Sequence, residues 1–500
     1  MKYRKESFFG FIALTILIIP ALAYGLSLEE RVKAYSLDNG MRVLLLERRF
    51  APVVSLYMRF KVGAVDEPGG ETGTAHVLEH MLFKGTETLG TKSYKEEKKI
   101  LEEIDRLSLK IDTEMKEGKD TDNNRIAEWR EKLKALQQEH KKWVVKDEIN
   151  ALYSQNGAEG LNASTGYDVT TYKVSLPANR IELWARIESD RISNPVFREF
   201  YSEREVVREE RRQREETQAG GKLMENFLAT AFVAHHYGRP IIGWDSDLKY
   251  MKKERVKQVF RNYYSPNNAV VAIVGDINTD EVMGTIKKYF GELPPQEIVY
   301  APMSEEPEQS GERRVEVEFD ANPRLIIGYH KPSLPHFDDY VFDVIDILLS
   351  EGRTSLLYKT LVEEKKIAVS VSTANGMPGG RYANLFTIYA TPRSPHTCEE
   401  LEKEIYKHIA GLKEKVVTAH ELTKVKNRLE ADFIRSLSSN AGLASQLSYY
   451  QVIAGDWRYL EKHLKVIESI TPENIMQAAE KYLVKENRTV AKIVRKEKEK

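Results

Sequence analysis

The sequence predicts an α/β (α+β) chain built as two similar αβ sandwich domains, and three observations lead there. Five hundred residues exceed what a single hydrophobic core organises. The order strands, helix, strands, helices, strand is written twice, once over 28–290 and once over 312–495. Between them, 291–311 is rich in Pro, Glu and Ser and reads as a linker. The repetition lies in the pattern more than in residue identity.

Ahead of the first unit, Lys2, Arg4 and Lys5 precede an apolar run from Phe8 to Ile19, then Pro20 and Ala21-Leu22-Ala23. This is the layout of a secretory signal peptide, so residues 1–23 are expected to direct export to the periplasm or another extracytoplasmic space. Left uncleaved, the same run would anchor the protein at a membrane. Lys+Arg of 75 against Asp+Glu of 76 leaves a formal charge of −1, which excludes a global basic field for nucleic acid. The sole cysteine, Cys398, has no partner for an intramolecular disulfide and offers no Cys-based metal site.

The elements follow in order. Alternating residues 32–37 and 41–46 flank Asp38-Asn39-Gly40 and predict a β-hairpin. Residues 53–62 alternate as a strand with one buried face, closed by the Gly-rich turn 67–73. Thr74 is the expected N-cap of the next helix. Over 97–146, apolar stripes at spacings of three and four (Ile104, Leu107, Ile111; Ile126, Trp129, Leu133) predict an antiparallel helical hairpin around a polar turn at 118–124. Its evenly mixed charge reads as decoration more than as a docking surface. A strand at 169–176, helices near 181–192 and 199–216, a strand at 269–274 and a helix at 279–290 complete the first unit. The second unit has strands at 314–319 and 325–330, helices at 337–349 and 355–364, and strands at 369–373 and 384–390. Helices around 398–410, 418–436 and 440–453 lead to a last strand at 488–494.

Chemistry concentrates in His76-Val77-Leu78-Glu79-His80, the inverse of the commoner His-Glu-x-x-His order. On a helix, His76 and His80 stack on one face and can share an ion, while Glu79 turns about 100° away and is placed to take a proton from water. The flanking Ala75, Val77, Leu78, Met81 and Leu82 mark a mostly buried helix, where two histidines and a glutamate would be costly without a shared purpose. A third ligand must come from elsewhere, and Glu203-Arg-Glu-Val-Val-Arg-Glu-Glu210 offers carboxylates on one helical face. Spacing alone does not choose between Glu209 and Glu210. Lys84 and Lys92 flank the motif without forming a defined anion cradle, and His235-His236, being adjacent, face different directions. In the second unit, Asp343, Ile345 and Asp346 stand where a metal motif would be, so that half is not expected to bind zinc in the same way.

Three segments together, Gly73-Thr-Ala-His76-Val-Leu-Glu79-His80-Met-Leu-Phe-Lys-Gly85-Thr, Asn162-Ala-Ser-Thr and Glu203 to Glu210, resemble the M16 (pitrilysin-like, inverzincin) metallopeptidases over about residues 30–495. The resemblance implies one zinc held by His76, His80 and Glu210, with Glu79 as general base and Glu203 assisting. It further implies that Asn162 and Ala163 lie on an exposed edge strand that pairs with an extended peptide. The 97–146 hairpin exceeds the usual family spacing and reads as an insertion. One departure bears on function. Where family members carry an arginine and, seven residues on, a tyrosine that contact the substrate, this chain has Val362 and Val369. Neither valine donates a hydrogen bond to a developing oxyanion. By family analogy, a zinc-less sister subunit bearing that pair is the expected partner, with a homodimer as the alternative. The expected activity is that of an exported zinc endopeptidase acting on peptides or unfolded segments. A processing peptidase with one dedicated precursor and a mainly structural subunit are the alternatives.

Overall fold

The first sheet begins where the sequence places a turn: β1 (Lys33–Ser36) and β2 (Arg42–Glu47) pair antiparallel around Asn39-Gly40. This computed structural model describes residues 27–115, 122–300 and 302–495, so the expected signal segment, 1–23, lies outside them. With β3 (Val53–Phe60), β4 (Glu159–Thr165), β5 (Thr170–Pro177) and β6 (Ala269–Gly275), the sheet runs β1-β2-β6-β3-β5-β4. A second sheet contains β7 (Arg313–Glu318), β8 (Leu325–Lys331), β9 (Ala368–Met377), β10 (Asn384–Pro392) and β11 (Arg488–Val494), in the order β7-β11-β8-β10-β9. Parallel and antiparallel pairings fall in the same sequence in both sheets: β2 with β6 and β7 with β11 are parallel, and every step beyond them is antiparallel. The predicted duplication is therefore one of topology, and β4 and β9 are equivalent edge strands. No helix among the described residues is long and apolar enough to cross a membrane.

The halves exchange helices. Ala219–Ala231 lies on β7 and β11 of the second sheet, where Leu223, Phe227 and Phe232 pack with Val317, Ile326 and Ile493. Reciprocally, Asn440–Ile453 lies on β3 and β6 of the first, where Leu443 and Leu447 pack with Leu44, Leu46 and Val274. This exchange corrects the reading of β3, whose residues after Val53 are all buried, on both faces. The strand's alternation registers only the face packed within its own half. The predicted linker is also held. Glu306 accepts backbone hydrogen bonds from Val233, Ala234 and His235 and pairs with Arg313, so the segment is stitched to the helix-exchange seam.

The predicted helical hairpin forms as Tyr94–Glu114 and Asn123–His140, with part of its turn outside the described residues. It is more than decoration, because its inner face grips the first unit through buried charge. Arg198 spends its guanidinium on both oxygens of Glu97 and on the carbonyls of Lys84, Thr86 and Leu89, while His140 reaches Glu97 at 2.8 Å. Breaking a buried pair of this kind costs about 3–5 kcal/mol, far more than an exposed pair. Farther out, Asp112 binds Arg204 and Asp105 binds Lys253.

Candidate active site

The motif helix, Thr74–Met81, starts differently from expectation. Its cap is Gly73 at φ +87°, where a Cβ would lie 2.5 Å from the Ile242 carbonyl oxygen, and Thr74 is already inside the helix. The buried helix-start amides are satisfied by Glu67 instead: Oε2 accepts from Gly73 N at 2.8 Å and Oε1 from Ala75 N at 2.6 Å. Burial pushes the Glu67 carboxyl up to about 8, against the pull of those two bonds.

His76 and His80 meet edge to face, with ring centres 4.9 Å apart and planes 79° apart. Both face Phe200–Arg211, the helix carrying the glutamates. His76 Nε2 lies 3.9 Å from Glu210 Oε1 and His80 Nε2 lies 3.6 Å from Glu210 Oε2. One donor atom from each of the three residues lies within 4.8 Å of the others. These separations are too long for hydrogen bonds and suit donors about 2.0–2.2 Å from one shared zinc ion. Burial, reinforced by His80 and Arg214, drives the His76 imidazole down to about 3, which keeps its lone pair free. Two imidazoles and a carboxylate converging without bonding to one another fit a zinc site.

Structure separates the two adjacent glutamates. Glu209 is exposed and bonded to Arg212 and Gln213, whereas Glu210 turns to the histidines and is held from outside by Arg214 at 2.9 Å. Glu203 sits behind His80, 3.4 Å from Nδ1, and its other oxygen takes a bond from Lys84. Burial opposes the Glu203 charge, but the bonds from His80 and Lys84 prevail and hold its pKa below the usual value. Burial likewise pulls His80 down, yet the hydrogen bond to Glu203 and the charges of Glu210 and Glu79 leave its pKa raised. Lys84 thus orients Glu203, a role that sequence position did not disclose. Among the described residues His235 and His236 join no metal-competent group, and His236 Nδ1 engages the Val65 carbonyl.

Glu79 stands beside the cluster, outside the three-donor set. Thr165 Oγ1, at the end of β4, donates to Glu79 Oε2 at 2.6 Å. Burial raises the Glu79 pKa and the Thr165 bond lowers it. Thr165 is the last residue of the Asn162-Ala-Ser-Thr segment, and nothing in the sequence assigns it this role. A Thr165→Val substitution is expected to raise the Glu79 pKa further, so the acid limb of a kcat/KM–pH profile moves to higher pH. An unmoved limb would remove Thr165 from that role. Among the described residues β4 pairs only with β5 and forms the sheet edge, with Asn162 exposed and Ala163 buried. Val362 packs against the second core, while Val369 is exposed on β9.

In the second unit, Phe337–Ser350 occupies the place of the motif helix, and Asp343 there is bonded by Asn375. Fold and site together define a class, a duplicated αβ hydrolase scaffold with a metal-competent helix in one half. Residues 42–117 match the family model described as Insulinase (Peptidase family M16), and residues 250–429 match Peptidase M16 inactive domain. The chain belongs to the M16 metallopeptidase family. It is 26% identical to the zinc protease PqqE of Helicobacter pylori over 488 residues, covering 96% of each chain. The crystal structure of a protease from Helicobacter pylori aligns with a TM-score of 0.77 at 26% identity, covering 93% of this chain and 99% of that one. The periplasmic protease PqqL of Escherichia coli shares the fold, with a TM-score of 0.70 at 17% identity. That alignment takes in 94% of this chain but 48% of the PqqL chain.

Proposed function

We propose that the protein is an exported zinc-dependent endopeptidase that hydrolyses peptide bonds in peptides or extended protein segments. The observation that carries this reading is the convergence of His76, His80 and Glu210 beside Glu79, with Glu79 tied through Thr165 to an unpaired sheet edge. His76, His80 and Glu210 would hold one zinc, which when bound would polarise the scissile carbonyl and acidify water. Glu79 takes a proton from the attacking water and delivers it to the leaving amine. Glu203, itself held by Lys84, fixes the ring of His80. Strand β4 offers its free backbone groups around Asn162 to an extended substrate, while Ala163 packs inward, so recognition depends on backbone more than on side-chain identity. Export is supported by the charged, apolar and small-residue order of residues 1–23 and by the relative named a periplasmic protease.

Val362 and Val369 leave the centre without the arginine and tyrosine donors implied by the family resemblance. We place those donors on a zinc-less sister subunit of the same fold. That PqqL accommodates this fold in under half its length supports a working unit of two such bodies. The test is peptide cleavage by the chain from residue 24 onward, with and without its sister. Chelation should abolish hydrolysis and zinc restore it, and the sister should raise turnover by the roughly 10²–10³-fold that an oxyanion donor supplies. A chain that binds no zinc would refute the reading, and full turnover without a partner would refute the sister subunit.

A further inference from the structure

Besides the exchanged helix, the second half reaches into the first through a buried side chain, Arg381, in the turn between β9 and β10. Its guanidinium forks onto Asp66, Nη1 to Oδ2 at 2.8 Å and Nη2 to Oδ1 at 3.0 Å, and Nη1 also meets the Asp168 carbonyl at 3.2 Å. The two side chains of the fork are 6% and 4% exposed, so this is a desolvated pair in which loss of one partner strands a charge. The same turn binds Asp168 by its backbone. Asp168 Oδ2 accepts from Gly380 N at 2.6 Å and Arg381 N at 3.2 Å, and Oδ1 accepts from Tyr237 Oη at 2.7 Å. The approach is so close that a Cβ on Gly379 would lie 2.5 Å from Asp168 Oδ2.

Both anchor points lie within three residues of a side chain that supports the catalytic apparatus. Asp66 precedes Glu67, the carboxylate that holds Gly73 N and Ala75 N and so sets the start of the helix carrying His76 and His80. Asp168 lies in the β4–β5 turn, three residues after Thr165, whose hydroxyl holds Glu79. One arginine from the second half therefore braces two things at once, the helix of the histidines and the strand that aims the base.

We propose that Arg381 is a positioning residue for the active centre, through which the second half sets the geometry of the zinc helix and of Glu79. The proposal rests on the endopeptidase reading above. Arg381→Met alone would leave Asp66 buried and unpaired, so the informative variant is R381M/D66N, which removes fork and charge together while keeping the bulk. It should fold with a Tm close to wild type. Its zinc affinity, measured on the metal-free protein by chelator competition, should fall by about 10–100-fold, the usual loss when an outer support of a metal site is removed. Its kcat should fall by a similar factor with little change in KM, and Arg381→Lys, which keeps the charge but not the fork, should fall between. Wild-type zinc affinity and kcat in R381M/D66N would overturn the proposal, as would losses that disappear on cooling in step with recovered folding. A wild-type chain without a zinc site would instead overturn the endopeptidase reading, and this proposal with it.

Discussion

Glu79→Gln is expected to bind zinc as wild type does and to lose peptide hydrolysis by about 10²–10⁴-fold, the usual worth of a general base. Glutamine keeps the size of glutamate and retains an oxygen to accept from Thr165, so the motif helix and β4 stay where they are. The three convergent donors do not include Glu79, so metal content should not move. What disappears is the ability to take up a proton, because an amide is not basic in water. Metal analysis and cleavage of an unstructured peptide, run on the same preparation, check both halves. Retained hydrolysis would remove Glu79 as the base, and lost zinc would place it in the ligand set.

The second large effect separates two neighbouring residues. Glu210→Gln should weaken zinc binding by more than the roughly 10–100-fold typical of outer-shell changes, because it removes the one anionic donor of three. Glu209→Gln should leave zinc binding and hydrolysis unchanged, since Glu209 is spent on Arg212 and Gln213 at the surface. Chelator competition reads both variants, and hydrolysis should follow metal occupancy. A loss in the Glu209 variant with none in the Glu210 variant would reverse the assignment.

The residues legible in the sequence are those whose partners lie close along the chain. His76 and His80 are four apart on one helix, so their common face follows from helical geometry alone, and Glu79 takes its place from the same turn. The Asn39-Gly40 hairpin and the strand and helix periodicities are legible for the same reason. Thr165 was not, because the carboxylate it holds is 86 residues away. Arg381 lies 315 residues from Asp66, and nothing in the local pattern marks it. Lys84 and Arg198 resemble ordinary surface cations until Glu203 and Glu97 are set beside them. Helices Glu148–Gln155, Ala219–Ala231, Lys253–Tyr263, Tyr459–Ser469 and Pro472–Tyr482 received no assignment from periodicity.

By itself the sequence determines the first hairpin, the strand and the helix that lead into the motif, the inverted histidine pair with its glutamate, and the valines at 362 and 369. Each of these is written in residue identity or in short-range spacing. Tertiary structure decides which glutamate faces the histidines, which carboxylate starts their helix, and why β3 is buried on both faces. Its second face is covered by a helix from the other half, and one arginine from that half reaches the approach to the metal helix. Those outcomes depend on surfaces meeting across hundreds of residues, where the energy of burying a charge or an apolar face selects the partner and sequence distance does not.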